Sequence, residues 1–172
     1  IYTAYGALVD KACVCEGYSR AMQLIMQKLD IKCGLIYGEY DGEDHMWNYI
    51  NINGAWYHLD VTWDDNETYG ALHTYFNLTD SEIRKNHTVT DRFTAENAAE
   101  EKNYNMLYFD CGSETENYYK KTNRFLTDDI ASSAAIIVDC FSAGNAFAEL
   151  KVTAKGDIDG ILQQVNDRIY YT

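Results

Sequence analysis

Proline is missing from the chain altogether, and basic residues are scarce, with 14 Lys and Arg against 27 Asp and Glu in 172 residues. The first absence removes any case for a stiff proline-rich linker. The second leaves a net charge of -13, which argues against nucleic acid and anionic membranes as partners, since neither attracts an acidic surface. No apolar run approaches the roughly 18 residues that span a bilayer, so no membrane insertion is expected. The five cysteines are an odd number. Their spacing forms no disulfide framework, and their scatter through apolar stretches suits buried free thiols. Sequons at Asn66, Asn77 and Asn86 matter only in a eukaryotic secretory pathway, which nothing else supports. What is present is length enough to bury a substantial core.

The chemistry-bearing feature is the run Cys15-Glu16-Gly17-Tyr18-Ser19, followed by His45 and Asp60. A thiol, an imidazole and a carboxylate are the parts of a cysteine nucleophile, its base and the base's orienter. Apolar residues at Tyr18, Ala21, Met22, Ile25, Met26 and Leu29 fall at helical spacing. That predicts a helix starting at about Cys15 and ended by Asp30 and Ile31. The first turn of a helix offers unpaired N–H groups and the positive end of the dipole, which favour an anion there. The thiolate is the reactive form of cysteine. The bland alternative is a small buried residue. Cys13 makes a Cys-x-Cys pair with Cys15, but no second pair of Cys or His follows at zinc-ligand spacing. No metal and no cofactor are expected.

His45 to Ile52 alternates polar and apolar residues, Asn53-Gly54 follows, and Ala55 to Thr62 is again rich in aromatic and β-branched residues. Asn-Gly between such runs signals a hairpin, because both turn residues need positive φ. A two-residue loop sets Ile52 opposite Ala55, and by counting outward Trp47 opposite Asp60 and His45 opposite Thr62. His45 and Asp60 then share one face as diagonal neighbours, about 7–8 Å apart at the backbone. His58 shares that face too, opposite Tyr49, and is the competing base. His45 is preferred because it opens its strand beside the loop Asp41-Gly42-Glu43-Asp44, where a cleft edge is expected. His73 and His87 lie in polar, irregular stretches and read as surface residues.

Val14-Cys15-Glu16-Gly17-Tyr18-Ser19-Arg20-Ala21, His45-Met46-Trp47-Asn48 and Trp56-Tyr57-His58-Leu59-Asp60-Val61-Thr62-Trp63-Asp64-Asp65 together resemble the transglutaminase-like superfamily. More narrowly they are similar to its bacterial transglutaminase/protease-like proteins, over about residues 5 to 90. The resemblance implies an α+β, papain-like cysteine-proteinase fold, with the cysteine helix packed on an antiparallel sheet. It implies Cys15, His45 and Asp60 as the triad, and a bacterial extracellular or cell-surface location. Trp63 reads as core, and Asp64 and Asp65 as loop or capping groups. Little of the helical stretch that precedes Tyr5-Gly6 in family members is present, so the chain is expected to be a processed form or a fragment. The glutamine that papain-like proteases place shortly before the cysteine is absent from Val9-Asp10-Lys11-Ala12. The Cys15 backbone N–H is the one oxyanion donor to name.

Further along, Leu72 to Leu78 reads as a strand or turn, and Thr79-Asp80-Ser81-Glu82 is a capping box opening a short helix. Residues 94–103 read as a short helix or linker, and Tyr104 to Phe109 as a strand. Composition then shifts. A strand over 118–126, a helix from Thr127-Asp128-Asp129 to about Ala143, a strand over 147–153 and a helix over 158–169 make a β-α-β-α pattern with no catalytic motif. Residues 1–112 are therefore expected to be the catalytic core and residues 113–172 a small accessory module. The expected function is a thiol enzyme acting on amide bonds of a protein or peptide substrate through a thioester, with water as acceptor (peptidase or amidase) ahead of an amine (transglutaminase). The alternative of another class is a binding or surface-display module that keeps the fold without turnover.

Overall fold

Two dipeptides fold the middle of the chain. Asp41, Gly42, Asn53 and Gly54 all have positive φ, between 48° and 88°, as the loop of a tight hairpin requires. They join β1 (Cys33–Tyr40), β2 (Glu43–Ile52) and β3 (Ala55–Leu59) into an antiparallel meander. The computed structural model describes residues 1–90, 93–94 and 104–170, which divide into two compact units, Ile1–Asn117 and Tyr118–Thr172. No helix among the described residues is long and apolar enough to cross a membrane.

In the first unit a short π-helical turn, Gly6–Asp10, precedes α1 (Cys15–Lys28). The meander follows, then α2 (Val61–Asp64), a two-residue-per-strand hairpin of β4 (Asp65–Asn66) and β5 (Gly70–Ala71), and β6 (Phe76–Leu78). Next come α3 (Asp80–Ile83) and β7 (His87–Val89). The Thr79–Glu82 capping box expected at α3 is formed in both directions. The main sheet is antiparallel with strand order β6-β3-β2-β1-β7. A separate parallel pair joins β8 (Phe93–Thr94) to β9 (Leu107–Tyr108), so only two residues of the strand expected over 104–109 pair. The short helix or linker expected over residues 94–103 lies, apart from Thr94, outside the described residues.

The Asn-Gly turn sets Ile52 opposite Ala55 and Tyr49 opposite His58, as the hairpin count expects. The strand expected to continue to Thr62 stops at Leu59. Asp60 Oδ1 accepts from the backbone N–H groups of Thr62 (3.0 Å) and Trp63 (3.5 Å), so Asp60 becomes an N-cap and the chain turns into α2. Also unforeseen are the Gly6–Asp10 turn, β1, the β4–β5 hairpin, β7 and β8.

Helix α1 packs on one face of the sheet, where Cys33, Ile50, Tyr57 and Leu59 form a buried cluster under Met22 and Met26. Its buried stripe is rotated from the one the apolar spacing predicts. Gly17, Ser19 and Ala21 are buried, whereas Ile25 and Leu29 are exposed. Directed hydrogen bonds explain the rotation. Ser19 Oγ donates to Met46 O (2.9 Å), Asn48 Nδ2 donates back to Ser19 O (3.1 Å), and Gln23 Nε2 donates to Cys33 O (3.1 Å). Buried polar partners have fixed geometry, whereas apolar contacts tolerate rotation. On the sheet's other face Ile36, Trp47, Tyr49 and Cys111 form a second cluster, flanked by Trp56 stacked on Phe109 (3.7 Å between ring centroids).

The second unit contains α4 (Tyr118–Thr122), β10 (Phe125–Leu126), α5 (Ile130–Ser142), β11 (Lys151–Val152) and α6 (Ile158–Tyr170). The strand expected over 118–126 is mostly helix. Thr122 Oγ1 bonds back to Tyr118 O, and Asn123 at φ 52° ends the turn before two residues extend. The strand expected over 147–153 is likewise reduced to two residues, β11 pairing parallel with β10. Asp129 caps α5 through Ala131 and Ser132, and Leu126, Ala134, Ile161 and Val165 form the core of this unit.

Candidate functional site

Cys15 is the first residue of α1, half-buried, and the preceding Val14 provides no side-chain cap. The same helical stripe carries Ser19 one turn later, and Ser19 is bonded to the carbonyl of Met46, next to His45. That clamp brings the helix tip beside the start of β2. Cys15 and His45 accordingly line one cavity of about 510 Å³, together with Glu16, Asp44, Tyr2 and Tyr37. Gly17 lets the N-terminal segment lie against the helix, since a Cβ there would sit 2.7 Å from Ile1 O.

His45 is the third residue of β2 rather than the first, and pairs with Gly38 of β1. Its Nε2 lies 2.6 Å from Asp60 Oδ2, which leaves Nδ1 as the ring's other nitrogen. The two residues meet although Asp60 has left the strand, because Oδ1 serves the α2 cap and Oδ2 remains turned toward the sheet. Asp60 is wholly buried and His45 nearly so. Burial alone would raise the Asp60 pKa, but hydrogen bonds from His45 and His87 outweigh it and hold the carboxyl below its ordinary value. Trp47 stacks parallel to His45 (6.0 Å, 17°), and Tyr40 meets it edge-on.

Two sequence readings, those of His87 and Trp63, need correction here. His87, taken for a surface residue, is buried, and its Nε2 lies 3.0 Å from the same Asp60 Oδ2. Its segment looks polar, but β7 pairs with β1 and carries it into the interior beneath Tyr40. Trp63, taken for core, is 45 % exposed and stacks on Tyr40, because the Asp60 cap swings α2 outward. His58, the competing base, is committed elsewhere. Trp47 Nε1–H donates to its Nδ1 (3.0 Å), so its proton is on Nε2, where it donates to Asp80 Oδ1 (3.0 Å). His73 is half-buried and packs edge-on against Phe76. The acids after Trp63 serve local structure. Asp64 Oδ1 accepts from the Tyr75 N–H, and Asp65 accepts from the Tyr18 hydroxyl.

Two groups bring metal-type donor atoms within 4.8 Å of one another: His45, Asp60 and His87, and His58, Asp80 and Cys111. In the second, a cation on His58 Nε2 requires that ring's proton on Nδ1, against the Trp47 N–H that already points there. In the first, the 2.6 Å His45–Asp60 approach is a charge-assisted hydrogen-bond length. Ligand atoms around a tetrahedral ion at roughly 2.1 Å stand roughly 3.4 Å apart. Both groups therefore have the geometry of hydrogen-bonded networks.

Residues 1–61, which contain all three candidate residues, match the family model of the transglutaminase-like superfamily. The likeness to the transglutaminase-like superfamily is that of this segment. That superfamily generally contains acyltransferases and peptidases and suggests a cysteine-protease-like fold. The mixed helix and antiparallel-sheet architecture of the unit Ile1–Asn117 is compatible with it. No curated protein matches the chain.

Proposed function

We propose that the chain is a thiol enzyme of papain-related fold that acts on amide bonds, with Cys15 as nucleophile, His45 as its acid–base partner and Asp60 as the orienter of His45. The observation that carries the reading is the 2.6 Å His45–Asp60 contact in a unit where Cys15 and His45 line one cavity. In this scheme His45 takes the thiol proton as sulfur attacks the amide carbonyl carbon. The resulting oxyanion is met by the Cys15 backbone N–H at the uncapped helix start. Collapse breaks the C–N bond, the departing amine takes the proton from His45, and a thioester remains. A second nucleophile then gives its proton to His45, adds to the thioester and releases the thiolate, which recovers that proton.

Water as the second nucleophile makes the protein a peptidase or amidase, and an amine makes it a crosslinking transglutaminase. Hydrolysis is the preferred reading because it needs no second substrate site. The unit Ile1–Asn117 would be the catalytic core, and the following unit an accessory module. The test is mass spectrometry of a glutamine-peptide library incubated with the protein and an amine donor. The expected result is a Cys15 acyl adduct and free acid product. Crosslinked amide would assign transamidation, and no Cys15 adduct with any peptide would overturn the thiol mechanism.

A further inference from the structure

Asp60 Oδ2 receives two imidazoles. His45 reaches it from β2 at 2.6 Å and His87 from β7 at 3.0 Å. A three-residue triad accounts for the first and not the second. We propose that His87 is a positioning residue for His45, acting by clamping the Asp60 carboxylate from the edge strand β7, on the same face of the sheet; this rests on the triad reading of Cys15, His45 and Asp60.

Both nitrogens of His87 lie against oxygen acceptors, which a space-filling side chain would not need, and each contact is a hydrogen bond only with the proton on that nitrogen. Nε2 meets Asp60 and Nδ1 meets Asn86 Oδ1 (2.9 Å), whose Nδ2 in turn donates to the Tyr75 hydroxyl (2.7 Å). The ring is held on three sides by edge-on contacts with Tyr40, Trp47 and Tyr75, at centroid separations of 5.0, 4.9 and 5.4 Å. It therefore has one orientation available. The torsion that turns an Asp carboxylate is broad and soft. Backbone N–H groups of Thr62 and Trp63 restrain Oδ1, and without His87 the position of Oδ2 would depend on His45 alone. A base that must meet a sulfur needs an acceptor fixed to within about 0.5 Å. His87 supplies that restraint.

The clamp has an electrostatic side. The groups facing Asp60 are His45 from β2, His87 from β7, the two N–H groups of α2, and the hydroxyl-bearing ring of Tyr75, which itself meets Tyr40. Of these, the two imidazoles are what hold the carboxyl down against burial. Removing His87 moves the protonation of Asp60 to higher pH, and any reactivity that needs the carboxylate fails earlier on the acid side.

The experiment uses the full chain as wild type and as His45→Ala, His87→Gln, His87→Leu and His87→Met, and follows iodoacetamide alkylation of Cys15 from about pH 3 to 9 by peptide mapping. Cys13, read in the same spectra, is the internal control, and thermal melts report folding. His87→Gln keeps an N–H donor, and its Cys15 rate should stay within about threefold of wild type. The donor-free Leu and Met variants should lose at least tenfold and move the acid limb to higher pH, with Cys13 unchanged. Equal Cys15 rates in the Gln and donor-free variants would overturn the inference. An unaltered rate in His45→Ala would overturn the thiol–imidazole pairing itself, and the His87 role with it. On the wild type, long-range nitrogen–proton NMR of the histidine rings gives a reading independent of any variant's folding. A proton on His87 Nε2 is expected, and a ring protonated on Nδ1 alone would refute the clamp.

Discussion

Replacing Asp60 by alanine removes four hydrogen bonds at one position, two to the start of α2 and two to buried imidazoles. Loss of a helix cap costs about 1 kcal/mol. Each buried ring N–H left without its anionic acceptor costs about 2 kcal/mol. The expected destabilisation is therefore about 5 kcal/mol. With a urea slope of about 2 kcal/mol/M, the midpoint should fall by about 2.5 M at pH 7. Asp60→Asn keeps an oxygen for the cap and places an amide where Oδ2 stood, so it should recover about 1 kcal/mol of the loss. The pH dependence has a definite sign. The Asp60 pKa is lowered on folding because the bonds from His45 and His87 overcome burial. A carboxyl lowered in this way contributes stability that is complete above its ordinary value, about 3.9, and is lost as pH falls through the folded value. The wild-type midpoint should decline on acidification below about pH 4, and that of Asp60→Asn less steeply. A loss under about 1 kcal/mol for Asp60→Ala at pH 7 would refute the four-bond account.

Three further outcomes can be checked. Trp47→Phe deletes the buried N–H that His58 Nδ1 accepts, and should lower stability by about 1–3 kcal/mol in urea titrations. Gly38→Ala would bring a Cβ within 2.1 Å of Thr88 O and 2.6 Å of the Trp47 ring, so amide exchange should show loss of protection in β7 before the rest of the sheet. Burial pushes the Cys33 thiol up to about 12, against a weaker lowering by Asn48, so alkylation at pH 8 followed by peptide mapping should label half-buried Cys15 well ahead of Cys33.

The features legible in the sequence are those written locally. The start of α1 at Cys15 follows from apolar spacing, the β2–β3 register from Asn53-Gly54, and the α3 cap from Thr79 and Glu82. β1 was equally available, since Asp41-Gly42 is the same kind of turn signal, but Gly34 and Gly38 dilute its strand pattern. Asp60 misleads because an aspartate can either extend a strand or end it by capping a helix, and only the competition between those outcomes decides. His87 was not legible at all. Its burial comes from pairing with a strand 47 residues earlier and its partner lies 27 residues away, so no local pattern of Asn-His-Thr reports either. The rotation of α1 was hidden for a related reason, being set by Ser19 and Gln23 bonds to other elements.

The two oxygens of the residue-60 carboxylate have separate duties, one to the backbone and one to the rings. A relative without turnover would still need that acid in order to fold, whereas among the described residues the Cys15 sulfur makes no hydrogen bond that holds the scaffold. Under the proposed thiol mechanism, retention of the acid therefore says little about whether a relative is active, and the identity of residue 15 is the sequence position to inspect.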